Sequence, residues 1–153
     1  MAVDLAELAK AALIVELEKL RDEVRNLAGT LSDVQLWKKP LEESNSIGHL
    51  ILHLTGNLNH FVGARLGNTG YVREREREFT ETAPPTRGEL FAGLDAAVAT
   101  FRRVVGGLTA EQLAKPHPDE RFGLVFNALL HLETHFALHR GQMSYIARLV
   151  RAS

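Results

Sequence analysis

Helical periodicity constrains the fold of this chain more than any other feature of its sequence. Asp4 is placed to cap the first of four long segments with apolar residues at helical spacing, and Thr86 with Glu89 forms a capping box at the third. Strands are hardly indicated, although residues 72–79 alternate and could be extended. We therefore predict an all-α fold whose helices run from about Leu5 to Ala28, Ile47 to Leu66, Thr86 to Gly107 and Leu124 to Arg151.

Two short capping boxes lie in the connections between these helices. Ser32 with Gln35 and Thr109 with Gln112 each begin a short apolar segment that ends at a proline. This faint internal repeat predicts two related helical hairpins, formed by helices one and two and by helices three and four. The remaining connection, Tyr71 to Pro85, is long and charged, so we expect it to be a crossover or a functional loop.

Length and charge exclude several classes of protein. A chain of 153 residues fits one domain, which we place at 1–153. Its 18 basic and 19 acidic residues give a net charge of −1, which argues against binding nucleic acid. The first residues show no targeting signal, and no apolar stretch is long enough to span a membrane. We expect a cytoplasmic protein.

The chain contains no cysteine and seven histidines, six of them in two short windows. On the fourth helix, His131, His135 and His139 lie within an arc of about 80° that also holds apolar residues and Gln142. On the second helix, His53 shares the inward face with Asn57. We therefore expect these imidazoles to face other helices, where they could also be core histidines that bind no metal.

Histidines four residues apart on a helix can reach one metal ion from the same side. His53 is the best-placed third ligand, and three imidazoles would leave positions open for water or substrate. His131 and His139 lie roughly 12 Å apart along the helix, so the pair is either His131 with His135 or His135 with His139. The spacing of Glu133 does not fit a zincin motif, and no acidic residue lies three positions before a histidine, as di-iron bundles require.

The charged connection carries arginine and glutamate in alternation. If this segment is extended, Arg73, Arg75 and Arg77 lie on one side and the glutamates on the other. Such a row could recognise an anionic thiol or a substrate carboxylate. The alternative is a solvated charged loop.

Two segments identify a family resemblance. Residues Ser46–Asn57 resemble the second-helix motif of the DinB/YfiT-like superfamily, and His135–Met143 resemble its fourth-helix motif. The similarity extends over nearly the whole chain and includes the Leu-Ser-x-x-Gln-Leu segment at residues 31–36. The stretch Arg73–Phe79 resembles a poorly characterised branch of that superfamily.

The resemblance implies a four-helix bundle with a crossover connection between helices two and three, often dimeric. It also implies a divalent metal site with His53, His135 and His139 as ligands. Zinc is the first candidate, with nickel, iron and manganese as alternatives. Known members include metal-dependent transferases that use thiols such as bacillithiol or mycothiol.

We therefore expect a metal-dependent S-transferase or hydrolase that acts on a small molecule and forms a homodimer. Its activated group would be a metal-coordinated thiol or water. We also expect polar side chains near the metal to orient ligands or substrate, namely Asn57, Gln142, Arg73 and Arg75. The alternative is a non-catalytic metal-binding protein of the DNA-damage-inducible, stress-response type.

Overall fold

The computed structural model describes residues 4–153, and over this range the all-α prediction is confirmed. Residues Met1–Val3, on which the expected lack of a targeting signal partly rests, lie outside the described residues. The long helices begin and end close to the predicted positions. They are α1 (Leu5–Gly29), α3 (Ile47–Leu58, continued by a π-helical segment Asn59–Ala64 and by α4, Arg65–Gly67), α6 (Arg87–Gly107) and α8 (Val125–Arg151). The short helices are α2 (Asp33–Trp37), α5 (Arg77–Thr80), α7 (Ala110–Leu113) and a 3-10 turn at Glu120–Phe122.

Side-chain caps explain where these helices begin. The Asp4 carboxylate accepts hydrogen bonds from the first turn of α1. All three predicted capping boxes form, at the starts of α2, α6 and α7. Each cap satisfies amide groups that have no partner within the helix.

The four long helices form a bundle in which α1 and α3 each pack against both α6 and α8. The order around the bundle is therefore α1, α6, α3, α8, and α1 lies diagonally opposite α3. The predicted hairpins are wrong in this respect, because the two helices of each are not packed side by side. The connections at residues 30–46 and 108–124, each with its own short helix, provide the length to cross the bundle.

Apolar side chains from all four helices fill the interior. The large ones that are fully buried include Leu17, Leu54, Phe101, Phe136 and Met143. Burying each such side chain stabilises the fold by about 1.5–3 kcal/mol. None of the described helices is both long and apolar enough to span a membrane.

The connection between α3 and α6 differs from the predicted extended segment. Its backbone turns at residues 75–76, where the Arg77 amide donates to the Glu74 carbonyl at 3.1 Å, and it then forms α5. Helix α5 packs on α3. Arginines and glutamates therefore do not segregate to two sides, and Glu78 points into the protein while Arg77 remains exposed.

Candidate metal centre

Three histidines from two neighbouring helices converge at one point. His53 lies on α3, and His135 and His139 lie one turn apart on α8. The Nε2 atom of His135 is 3.2 Å from that of His53 and 3.0 Å from that of His139. Each of the three residues offers a nitrogen within 4.8 Å of the other two, so the group could hold a metal ion.

Hydrogen bonds at the outer ring nitrogens orient two of these imidazoles. His53 Nδ1 donates to Glu78 Oε2 at 2.9 Å, and His139 Nδ1 donates to Gln142 Oε1 at 2.7 Å. With the proton on Nδ1, the lone pair of Nε2 is directed at the point of convergence. Such outer partners are typical of metal-ligating histidines.

Burial keeps the imidazoles in the form that can bind a metal. Burial, together with smaller effects of positive charge on neighbouring groups, first His139 and then His53, lowers the pKa of His135 to about 4. Burial also lowers the pKa of His139, partly offset by the hydrogen bond with Gln142. Neutral rings are therefore favoured for His135 and His139 at pH 7, as metal ligation requires.

The donor set fits a divalent metal ion better than it fits a hydrogen-bonded cluster. His135 Nε2 can donate only one proton, yet it faces the Nε2 lone pairs of both His53 and His139. Two nitrogens about 2.0–2.1 Å from one zinc ion are about 3.4 Å apart in tetrahedral geometry and closer at narrower angles. The distances here lie near that range.

Glu78 is a member of this centre that the sequence did not reveal. Its side chain is 8% exposed, and its carboxylate contacts His53 and Arg73. Arg73 binds it through two bonds, Nε to Oε1 at 2.6 Å and Nη2 to Oε2 at 2.8 Å. Burial raises the pKa of Glu78, but the hydrogen bonds from Arg73 and His53 outweigh burial and hold this pKa below its ordinary value. The Glu78 carboxylate is therefore ionised, and in this form it accepts the hydrogen bond from His53 Nδ1.

Gly56 provides the space for this carboxylate. A Cβ atom at position 56 would overlap the Glu78 side chain, with Oε1 and Cδ as its nearest neighbours. Gly56 also lies within α3, one turn after His53. A buried carboxylate can thus approach the helix backbone beside the histidine that it orients.

A cavity of about 570 Å³ opens over the three histidines. Asn57, Arg73 and Arg75 line it, whereas Gln142 is not part of the lining and contacts His139 instead. Asn57 is buried and makes no hydrogen bond to another described side chain.

His131 lines the wall but is not one of the three converging residues, and its ring lies 6.2 Å from that of His135. Arg77, the third arginine of the predicted row, does not line the cavity.

The remaining histidines have other roles. His49 Nδ1 accepts a hydrogen bond from Ser46 Oγ at 2.6 Å, and His49 Nε2 donates to the Glu81 carbonyl at 3.2 Å. These bonds attach the end of α5 to the start of α3. His117 lies in a loop, as its flanking prolines indicate, but it is only 2% exposed. Its Nε2 donates to the Phe61 carbonyl at 3.0 Å, within the π-helical segment.

Comparison with known proteins supports the same fold. A crystal structure of a conserved protein from Enterococcus faecalis is 16% identical to this chain, with a TM-score of 0.77. The alignment covers 99% of this chain and 100% of the other, and at this identity it shows the fold alone. A search of curated proteins finds no match. The model of the DinB superfamily matches residues 16–143, a region that contains His53, His135 and His139. Because this match covers most of the chain, the protein belongs to the DinB superfamily.

Proposed function

We propose that this protein is a metal-dependent enzyme that acts on a small molecule, as an S-transferase or a hydrolase. His53, His135 and His139 would hold a divalent ion, with zinc as the first candidate and nickel, iron and manganese as alternatives. The observation that carries the proposal is the convergence of three imidazole nitrogens at the floor of an open cavity. A volume of about 570 Å³ is in the range of small-molecule sites.

When bound, the ion would supply Lewis-acid chemistry that lowers the pKa of a coordinating thiol or water. The protein's own residues prepare the site for this. Glu78 and Gln142 fix the orientation and tautomer of His53 and His139, and Arg73 keeps Glu78 ionised. Asn57 offers an amide without a partner among the described residues to a ligand in the cavity.

The absence of cysteine means that any sulfur nucleophile must come from outside the protein. Because the chain has no thiol of its own, an S-transferase built on it must take its sulfur nucleophile from a low-molecular-weight compound such as bacillithiol or mycothiol. A hydrolase would use water instead. Both reactions need an exchangeable position at the ion, and three protein ligands leave at least one.

The second candidate function is non-catalytic metal binding in a stress response. One observation favours it: no carboxylate lines the described cavity, and Glu78 is already engaged by Arg73 and His53. A site without a free general base can bind a metal without turning over a substrate. Turnover of a thiol and an electrophilic substrate by the metal-loaded protein would exclude this candidate.

Metal analysis of the purified protein tests the ligand set. The wild type should contain about one divalent ion per chain, and His53→Ala, His135→Ala and His139→Ala should each lose most of it. His131→Ala is the matched control, since this histidine lines the same cavity and belongs to the alternative ligand pair, His131 with His135. Equal metal content in the wild type and the ligand variants would contradict the proposal.

Thermal unfolding tests the thiol hypothesis. Addition of bacillithiol or mycothiol to the zinc-loaded protein should raise its melting temperature, because a ligand of the folded state stabilises it. The His135→Ala variant should show no such increase. An unchanged melting temperature of the loaded wild type at saturating thiol would leave water, and hence hydrolysis, as the remaining reaction.

We also propose that the protein forms a homodimer. Support comes from apolar side chains on the outer face of α8, where Leu138 is 58% and Tyr145 is 65% exposed. Contiguous exposed apolar surface is often covered by a partner. Light scattering would give the mass in solution, and Tyr145→Glu should shift a dimer to monomer. A monomeric wild type would contradict this part of the proposal.

A further inference from the structure

The cavity over the three histidines is lined by basic side chains without acidic ones among the described residues. Three arginines line it, at positions 73, 75 and 121, and no aspartate or glutamate is among its described lining residues. Two of these guanidinium groups are already neutralised. Glu78 binds Arg73 through both carboxylate oxygens, and Asp119 binds Arg121 in the same way, at 2.9 Å and 2.6 Å.

Arg75 is the exception. Its guanidinium group forms no hydrogen bond and no ion pair with any residue in the range 4–153, and its side chain lies over the ring of Phe79, 5.6 Å from the ring centre. The acidic residues beside it in sequence do not line the cavity. Glu74 pairs with Arg77 at 3.1 Å, and Glu76 makes no ion pair with a described residue. The cavity therefore presents one uncompensated guanidinium group.

The walls between Arg75 and the histidines are aromatic. Phe79 lies between them, since its ring contacts the Arg75 guanidinium on one side and lies 4.8 Å from the His53 ring. Phe61 and Phe122 pack edge to face at 5.0 Å and also line the cavity. Such walls favour a flat apolar group over a polar one.

We propose that the cavity binds a small organic monocarboxylate, with its carboxylate on Arg75 and its apolar body against the phenylalanine rings. One free guanidinium group matches the charge and the planar fork of one carboxylate. A phosphate dianion would need more positive charge than Arg75 alone supplies. This inference rests on the proposed function in one point, because it takes the three-histidine centre to be the reacting end of the same cavity.

Binding of two matched probes tests the inference. Phenylacetate and the neutral phenylacetamide have the same ring and nearly the same shape, so their affinities differ mainly through the charge. We expect phenylacetate to bind at least about tenfold more tightly, since hydrogen bonds between charged groups are worth more than neutral ones. The titrations are run on the zinc-loaded and on the metal-free full-length protein, because a carboxylate could also coordinate the ion.

Arg75→Gln should reduce the preference for phenylacetate over the amide to about twofold or less in both forms of the protein. Arg77→Gln is the matched control, since Arg77 is exposed on the same segment and does not line the cavity. It should keep the preference of the wild type. Equal binding of the two probes, no saturable binding of phenylacetate, or the same loss in both variants would overturn the inference.

The two proposals can fail separately. A preference for phenylacetate that depends on Arg75, in a protein that binds no metal, would support the anion site and contradict the metal-dependent function. Tight zinc binding that depends on the three histidines, without any preference for the carboxylate, would support the metal site and contradict the anion site.

Discussion

His53 Nδ1 and Glu78 Oε2 lie 2.9 Å apart, and both side chains are nearly inaccessible to solvent. This contact joins α3 to the connection that follows it, twenty-five residues later in the chain. Because Arg73 holds the same carboxylate, one arginine, one glutamate and one histidine form a continuous network that ends at the candidate metal centre. The geometry of that centre therefore depends on how the connection folds.

Glu78→Gln should weaken zinc binding by about 10–100-fold, the usual effect of losing the outer partner of a ligating histidine. Glutamine keeps the size of the side chain but removes the charge that fixes the Nδ1 proton and binds Arg73. Zinc affinity can be measured by competition with a chelator of known affinity.

Glu76→Gln is the matched control for this substitution. Glu76 is exposed, lies two residues away and forms no ion pair with a described residue. It should bind zinc as the wild type does. If Glu78→Gln also bound zinc with wild-type affinity, Glu78 would have no part in positioning His53.

Gly56→Ala should weaken zinc binding through Glu78. The added methyl group would overlap the carboxylate, which must then leave its place between Arg73 and His53. In a Glu78→Ala background there is no carboxylate to displace, so Gly56→Ala should have little further effect on zinc affinity. A double-mutant cycle measures this non-additivity.

Gly93→Ala provides the comparison for Gly56. A Cβ atom there meets only a Thr55 methyl group at 3.8 Å, an ordinary contact, so this helical substitution should stabilise the protein by about 0.5–1 kcal/mol. Zinc affinity should not change. Additive effects of Gly56→Ala and Glu78→Ala would show that the glycine acts on the site by another route.

The long helices could be predicted from the sequence because their signals are local. Apolar periodicity and caps such as Asp4 and Thr86 depend on residues within one or two turns. The inward direction of His53 and His135 follows from the same periodicity. Spacing alone left two ligand pairs open, and the structure brings His139 rather than His131 to the other two.

The order of the helices and the role of Glu78 could not be predicted in this way. Which helices pack side by side depends on contacts between distant residues, and a faint repeat suggested the wrong neighbours. Alternating Arg and Glu at residues 73–78 has the period of a strand, but the turn at 75–76 breaks that period. The sequence feature that could have indicated the position of Glu78 was Gly56, since a glycine inside a helix often marks a place where another group packs closely against the helix backbone.

Glu133→Gln should stabilise the protein above pH 7 and have little effect at pH 4.5. Burial raises the pKa of Glu133 to about 7, with a smaller contribution from Glu16, and its Oε1 atom is buried without a described hydrogen-bond partner. Between pH 4.5 and 7 the folded protein keeps a proton that the unfolded chain releases. The free energy of unfolding therefore falls as pH rises through this range, and the loss persists above it.

Urea unfolding at pH 4.5 and pH 8 measures the effect of Glu133→Gln. We expect a gain of about 1 kcal/mol at pH 8, smaller than the full pKa shift implies because the side chain is partly exposed. Glu120→Gln, on the exposed 3-10 turn, is the control and should change stability little at either pH. An equal gain at both pH values would show that ionisation of Glu133 is not the cause.

His117→Ala should lower the free energy of unfolding by about 1–3 kcal/mol, because it removes two hydrogen bonds and leaves buried groups unsatisfied. His117 Nε2 donates to the Phe61 carbonyl at 3.0 Å, and its Nδ1 accepts from the Asp119 amide at 2.9 Å. The Phe61 carbonyl lies in the π-helical segment, where the regular α-helical bonding of α3 is interrupted. His131→Ala removes an exposed imidazole without described hydrogen bonds and should change stability by no more than about 0.5 kcal/mol. Thermal unfolding of the two variants compares them, and equal melting temperatures would show that the bond to Phe61 does not stabilise the fold.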